Sequence, residues 1–434
     1  MMAMGPEAQA FLVFSLGMLV LMGTGMNMGL ALVLTGAGMA WVLDFWDTQL
    51  LAQNLVAGVD SFPLLAVPFF ILAGELMNSG GISRRIIDMA QAWVGHIRGG
   101  LGYVAIGAAV LMASMSGSAL ADTAALATIL LPMMRQQGYP MNTSAGLLAS
   151  GGIIAPIIPP SMPFVIYGVT TNTSISALFV SGIVPGLMMG AGLIFAWRWV
   201  LRGMKDLPQG EPLPMKVRLR ATARAFWAML MPLIIIGGMK TGVFTPTEAA
   251  VVAAFYALMV ALFVHREMKL ADIYGVLVRA AKTTSIVMFL CAGAQVASYM
   301  ITLADLPNVL TNWLGPLVEN PRLLMAVMMV VLVLIGTALD LTPTILIFAP
   351  VMLPIAVKAG IDPVYFGLMF VLNGAIGLIT PPVGTVLNVV AGVGRISMHS
   401  VIKGVNPFLL TYVLILSLLV VFPQIVTVPV VWLR

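Results

Sequence analysis

The sequence predicts an all-α polytopic membrane protein built from two inverted repeats, each carrying a re-entrant helical hairpin and then a broken helix. Three observations carry this. The 434 residues are 60% hydrophobic and only 9% charged, which leaves too few charges to cover a water-soluble globule. Apolar runs of about 17–25 residues, the length that crosses a bilayer, recur along the whole chain. Two stretches, 114–169 and 336–391, also repeat each other at a constant spacing of 222 residues. The spacing pairs Leu131 with Leu353, Pro132 with Pro354, Gly138 with Gly360, Gly152 with Gly374, Ile157 with Ile379, and Pro159-Pro160 with Pro381-Pro382.

In the first half, spans are expected near 8–25, 28–43, 61–79, 143–170 and 176–199. Residues 99–135 have two apolar arms around Ser116-Gly117-Ser118. Each arm is short for a full crossing, so the segment is expected to enter and leave on one side. The second half follows the same plan, with spans near 226–243, 246–264, 283–302, 363–392 and 405–430. Its hairpin covers 321–358, with a tip at Leu339-Asp340-Leu341-Thr342-Pro343-Thr344. Residues 82–97 and 206–225 are expected to be interfacial or loop helices. The eight tryptophans (Trp41, Trp46, Trp93, Trp197, Trp199, Trp227, Trp313 and Trp432) fall near the ends of apolar segments, as an interfacial aromatic belt does.

Charge fixes the expected orientation. Five crossings per half place the central loop opposite both termini. That loop carries Arg198, Arg202, Lys205, Lys216, Arg218, Arg220 and Arg224, so it is expected to be cytoplasmic and the termini periplasmic. The same arrangement puts 17 of the 21 lysines and arginines inside; Lys240, Arg322, Lys358 and Arg434 fall outside. An odd number of crossings inverts the second repeat relative to the first, an arrangement suited to alternating access. The bases form no continuous stripe, so the net charge of +5 does not point to nucleic acid. No lysine or arginine precedes Arg84, so the first apolar stretch is expected to be retained as a span. The single cysteine, Cys291, reads as a small core residue.

The two hairpin tips carry the first candidate chemistry. Ser116, Gly117, Ser118, Asp122 and Thr123 lie at one; Asp340, Thr342 and Thr344 lie at the other. An aspartate at the bilayer centre costs roughly 2.5–3.5 kcal/mol and usually faces a cation, a partner or water. Helix capping is the competing role for Asp122 and Thr123. Acids flanked by hydroxyls at both tips suggest one cation site per half, with hard oxygen ligands suited to sodium first and a proton second.

The broken helices carry the second. Pro159, Pro160 and Ser161, and then Thr380, Pro381, Pro382, Gly384 and Thr385, interrupt spans just after the glycine-rich runs Gly151-Gly152 and Asn373-Gly374. Paired prolines remove backbone donors and break a helix. A half-helix N-terminus at such a break turns its positive dipole end toward a cavity and suits a carboxylate. Tyr167 on the first side, and Asn373, Thr380, Thr385 and Asn388 on the second, add polar contacts. Glu75 and Glu248 are expected to serve the fold or a subunit contact. No HExxH, GxSxG or P-loop is present, so no enzyme is indicated and the energy source must be an ion gradient or another subunit.

The order of these segments resembles the large membrane subunit of tripartite ATP-independent periplasmic (TRAP) transporters, the DctM family. The likeness rests on Pro68 to Met77 (PFFILAGELM), SGSALADTAA at 116–125, GGIIAPIIPPSMPF at 151–164, FTPTEAA at 244–250 and GLITPPVGTVLN at 377–388. In detail it is similar to the subfamily that imports sugar acids such as 2,3-diketogulonate. The resemblance implies a sodium-coupled importer of organic anions in a bacterial inner membrane, with an elevator-type fold. It implies a soluble periplasmic binding protein and a separate small four-helix membrane subunit as partners, and no cofactor beyond sodium ions. Carried over, the moving part would be 99–200 (hairpin 99–135, broken helix 143–170) and 321–434 (hairpin 321–358, broken helix 363–392). The scaffold would be 1–98 and 201–320. Two alternatives stay open: a stand-alone sodium/dicarboxylate elevator carrier, and a channel with re-entrant loops.

Overall fold

The computed structural model describes residues 6–204, 207, 209–306, 308–309 and 315–433, and among them every regular element is a helix. The first half runs α1 (Pro6–Gly23), α2 (Met28–Val42), α3 (Thr48–Ala57), α4 (Ala66–Ser79) and α5 (Ile82–Val94). It continues with α6 (Gly100–Ser116), α7 (Ala119–Gln136), α8 (Met141–Gly152), α9 (Met162–Thr171) and α10 (Ile175–Val200). The second half has α11 (Met215–Lys240), α12 (Pro246–Met259, ending in a π-helical turn to Val264) and α13 (Leu270–Leu303). After it come α14 (Pro321–Gly336), α15 (Leu341–Lys358), α16 (Pro363–Gly377), α17 (Thr385–Gly394), α18 (Met398–Val421) and α19 (Gln424–Leu433). Trp313, Lys205 and Arg434 lie outside the described residues.

Both hairpins and both breaks stand where the repeat places them. Helices α6 and α7 meet at Gly117-Ser118, and α14 and α15 meet across Thr337–Asp340. Helix α8 stops at Gly152 and α9 resumes at Met162; α16 stops at Gly377 and α17 resumes at Thr385. Among the described residues seven helical segments are long and apolar enough to cross a membrane, the hairpin arm α15 among them; the shorter apolar helices include α1 and α2, expected as spans, besides other hairpin arms and half-helices. Large apolar side chains such as Leu19, Leu233, Phe255, Ile286, Val330 and Leu414 stay exposed on the outside of the bundle, an apolar jacket that water does not tolerate and lipid does.

Four elements differ from the sequence expectation. Residues 215–225 are the start of α11 rather than a separate interfacial helix. Nothing between Met215 and Pro232 breaks the helix, so Lys216, Arg218, Arg220 and Arg224 simply carry it beyond its apolar part. The span expected at 283–302 is the distal part of the 34-residue α13. The span expected at 405–430 is divided at Phe422-Pro423 into α18 and α19, because proline cannot continue the α-helix that precedes it. Trp197 is fully buried rather than interfacial. Gly102 leaves room for its indole, whose Nε1 donates to the Gly99 carbonyl at 3.0 Å, and Tyr139 stacks on it with ring centroids 6.3 Å apart.

The repeats interlock. Arm α7 packs on α17, the half-helix beyond the second break, and arm α15 packs on α9, the half-helix beyond the first. Helices α2 and α4 of the first half pack on α13 and α12 of the second. The two glutamates noted in the sequence hold corners of this frame. Glu75 Oε2 accepts from Arg279 Nε at 3.0 Å. Glu248 closes a capping box with Thr245 at the start of α12, which accounts for the TPTE sequence there.

Helices α8 and α18 cross in close backbone contact. A Cβ on Gly404 would press on the Asn142 carbonyl, and one on Gly146 on the Gly404 carbonyl. Backbone cannot yield as a side-chain tip can, so Gly404→Val is expected to cost about 3 kcal/mol or more, the upper end for overpacking. A clear loss of thermal stability in detergent checks this; an unchanged melting curve would remove the crossing from the stability of the bundle.

Candidate functional site

The first tip turns on Gly117, whose φ of +62° favours glycine. Ser118 caps α7 by accepting from Ala121 N at 3.4 Å, and its own N–H donates to Ser116 Oγ at 3.1 Å. Ser116 Oγ donates in turn to Asp122 Oδ1. Asp122 thus sits in the first turn of α7, where the dipole favours a carboxylate, and only 2% of it is exposed. Its second oxygen, Oδ2, is buried with no hydrogen-bond partner. Thr123 Oγ1 is buried without a partner as well, lying over Gly152 at the end of α8.

This tip seats on its own repeat's break. A Cβ built on Gly117 would stand 2.9 Å from Met162 N and 3.1 Å from the Pro160 carbonyl oxygen. The break itself is wholly buried from Ile153 to Ser161 and contains a cis Pro159-Pro160 bond. Ser161 caps α9, accepting from Phe164 N at 3.5 Å and donating to the Pro156 carbonyl at 2.5 Å. Tyr167 is packed in the core against Phe370, with ring centroids 5.8 Å apart.

The second tip uses the same backbone plan with different side chains. At the 222-residue spacing Ser118 corresponds to Asp340, and Asp122 to Thr344. Asp340 therefore holds the N-cap position of α15, where its side chain makes no cap hydrogen bond. Its carbonyl accepts from Thr344 N at 3.2 Å and Thr344 Oγ1 at 2.8 Å. Thr344 is buried; Thr342 is half-buried. The tip meets its break where Gly384 N donates to the Thr337 carbonyl at 3.4 Å. Gly336 crosses Gly377 closely enough that a Cβ on Gly377 would stand 2.7 Å from Gly336 Cα, and Leu341 lies over Gly374. Asn373 is fully buried; its Nδ2 donates to the Met329 carbonyl at 2.5 Å and its Oδ1 has no partner.

The second break is the open one. Its Pro381-Pro382 bond is cis, and Pro382, Val383 and Asn388 are exposed where their first-repeat counterparts are buried. The N-cap of α17 is Gly384, so no side chain caps its first amides, and Thr385 Oγ1 is buried without a partner. Thr380 Oγ1 turns back to the Ile376 carbonyl at 2.8 Å, and Asn388 Nδ2 to the Val383 carbonyl at 3.2 Å. Among the described residues the buried side-chain oxygens without a partner are those of Asp122, Thr123, Ser150, Tyr167, Asn373 and Thr385, each in a hairpin arm or in a half-helix that flanks a break. They are hard donors, the type that suits an alkali cation.

Two of the cavities that adjoin these elements bring in further polar residues. Pro159 borders a cavity of about 260 Å³ between α10 and α11, whose other walls include Ser174, Ser176 and Lys240. A second, of about 300 Å³, lies between α3, α9, α13 and α15 and is lined by Ser61, Thr170, Asn172, Gln295 and Ser298. Lys240 is one of the few cations that the charge pattern expects outside. The others are ordinary polar residues on helices, and only packing gathers them.

A family profile described as "Tripartite ATP-independent periplasmic transporter, DctM component" matches residues 15–425. The chain is 52% identical over 410 residues to the 2,3-diketo-L-gulonate TRAP transporter large permease protein YiaN of Escherichia coli, covering 94% of this chain and 96% of that one. It is 39% identical to the sialic acid TRAP transporter large permease protein SiaM of Vibrio cholerae, covering 94% and 95%. It is 38% identical to the C4-dicarboxylate TRAP transporter large permease protein DctM of Pseudomonas aeruginosa, covering 86% and 88%. Among solved structures, the Alcanivorax borkumensis YdaH transporter superposes with a TM-score of 0.63 at 16% identity, covering 86% of this chain and 87% of that one; at that identity the likeness speaks for the fold alone.

The left-handed turn at Gly117 gives a direct test. A side chain there costs about 1–2 kcal/mol from backbone strain alone, or roughly a five- to thirtyfold loss of the seated tip. Gly117→Ala is expected to lower initial uptake in proteoliposomes by about that factor while membrane insertion is retained. Uptake at the wild-type rate would mean that the tip need not hold this turn.

Proposed function

The chain belongs to the DctM component family of tripartite ATP-independent periplasmic transporters, and from that membership we propose that it is the translocating subunit of a sodium-coupled importer of small carboxylates or sugar acids. In this reading a periplasmic binding protein delivers the substrate and a separate small membrane subunit completes the scaffold. Residues 99–200 and 321–434 move as an elevator against 1–98 and 201–320. The membrane is the bacterial inner membrane, with the central basic loop cytoplasmic and the termini periplasmic.

The single observation that carries the reading is the duplicated seating of a hydroxyl- and acid-bearing tip on a broken helix, with buried oxygens left over in each half. Sodium is held by the first group (Ser116, Gly117, Ser118, Asp122 and Thr123) and by the second (Asp340, Thr342, Thr344, Asn373 and Gly374). The substrate carboxylate sits at the breaks. We place it closer to the second, because Pro382, Val383 and Asn388 are exposed there while the first break is wholly buried. Ser161 acts chiefly by holding the first break in shape. A sugar-acid substrate is favoured by the sequence identity to the diketogulonate permease.

Three results are expected from the reconstituted complex, using 2,3-diketo-L-gulonate, a C4-dicarboxylate and sialic acid as probes. Wild-type uptake should require both a sodium gradient and the binding protein; accumulation without the binding protein would favour the stand-alone carrier, and flux without accumulation a channel. Asp122→Asn and Asp340→Asn should each raise the half-activating sodium concentration at least tenfold, or ~1.4 kcal/mol. Asn388→Ala should raise the apparent KM about three- to tenfold, as loss of one hydrogen bond does, whereas Ser161→Ala should cost about 1 kcal/mol of stability as a lost cap. Unchanged sodium activation in both aspartate variants would remove these acids from coupling.

A further inference from the structure

The corner between α4 and α5 is pinned from outside. Arg85 Nη2 pairs with Glu267 Oε1 at 2.6 Å, while its Nη1 donates to the carbonyls of Gly80 at 3.4 Å and Gly81 at 3.1 Å. Arg279 Nη2 donates to Ser79 Oγ at 2.9 Å, and its Nε to Glu75 at 3.0 Å. Within this fixed corner Ser83 Oγ donates to Asn78 Oδ1 at 2.8 Å. The corner faces the first hairpin. A cavity of about 10 Å³ lies between them, bordered by Gly74, Asn78 and Ser83 on one side and Ser116 and Asp122 on the other, with methionines closing its flanks.

That volume holds one water-sized occupant, and an occupant needs polar partners. The polar residues that border it carry hard oxygens: Asn78 an amide oxygen, Ser83 and Ser116 hydroxyls, and Asp122 a carboxylate. Asp122 Oδ2 is buried and has no other partner. Asn78 is exposed, so the cavity has a solvent rim at Asn78 and a buried carboxylate at its floor.

We propose that Asn78 and Ser83 form the scaffold half of a sodium-release site, which takes the ion from Asp122 and passes it to solvent. The inference rests on the sodium-coupled, two-body reading above and extends it to residues outside the hairpins. An ion here is shared between α4–α5 and α6–α7, which that reading assigns to different bodies. While it is shared, the hairpin is tied to the scaffold; the hairpin is free to slide only after the ion has gone wholly to one side. Release of the ion and release of the moving part are then one event.

Sodium activation of uptake is measured in proteoliposomes for the wild-type complex, Ser83→Ala and Asn78→Asp, together with the melting temperature of each purified protein in sodium chloride and in choline chloride. Ser83→Ala removes an oxygen ligand and is expected to raise half-activating sodium about three- to tenfold. Asn78→Asp adds a carboxylate to the rim and is expected to lower it by a similar factor and to enlarge the stabilisation by sodium over choline. A folding defect does not produce that opposite sign. If the wild type is activated by sodium while both variants stay within twofold of it, the cavity holds only water and the inference is overturned. If the wild type itself shows no sodium activation, the coupling reading falls and takes this inference with it.

Discussion

The need to enclose broken backbone governs this molecule. In hydrocarbon an unpaired N–H or C=O costs several kcal/mol, so a helix stops inside a membrane only where protein or water covers its ends. This chain interrupts its helices at two hairpin tips and two proline breaks. Each tip lies on a break of its own repeat, and each arm beyond a tip packs on the half-helix beyond the other repeat's break. The interruptions cover one another. The glycines at Gly117, Gly152, Gly336, Gly374 and Gly377 permit that approach, because a side chain at any of them meets backbone or a neighbouring residue.

One backbone plan carries two chemistries. The first repeat buries its break, caps the following half-helix with Ser161 and places a buried aspartate in the first turn of its arm. The second exposes its break, leaves the half-helix without a side-chain cap and moves its aspartate to the N-cap position. Duplication supplies the symmetry that lets a site be reached from either face. The divergence of side chains supplies the division of labour, with the cation favoured at the first tip and the anion at the second break in the proposed mechanism.

That division also makes electrostatic sense. A carboxylate substrate brings a negative charge into a low-dielectric site that contains acids of its own. In the proposed mechanism coupling cations offset those charges, and the anion is held without an arginine whose desolvation would be costly. The carrier of that mechanism crosses with substrate only when the added negative charge is compensated, which links ion binding to movement. A cation ligand set divided between the α4–α5 corner and the first hairpin would be one physical form of that link.

The sequence alone determined the membrane class, the two repeats, both hairpins, both breaks and the family. Those follow from apolar run length, proline and glycine position and a constant spacing, all of which are local properties of the chain. It also marked Asp122, Asp340 and the proline pairs, because polar groups and helix breakers in apolar runs are conspicuous. Only the tertiary structure decided that Trp197 is a core residue, that Glu75 answers Arg279, and that Asn78 and Ser83 border the same small cavity as Asp122. The reason is physical: whether a polar side chain is a ligand, a cap or a strut depends on what packs against it. In this chain those neighbours come from distant helices, brought together by interlocking repeats and by glycine crossings that leave no trace in local periodicity.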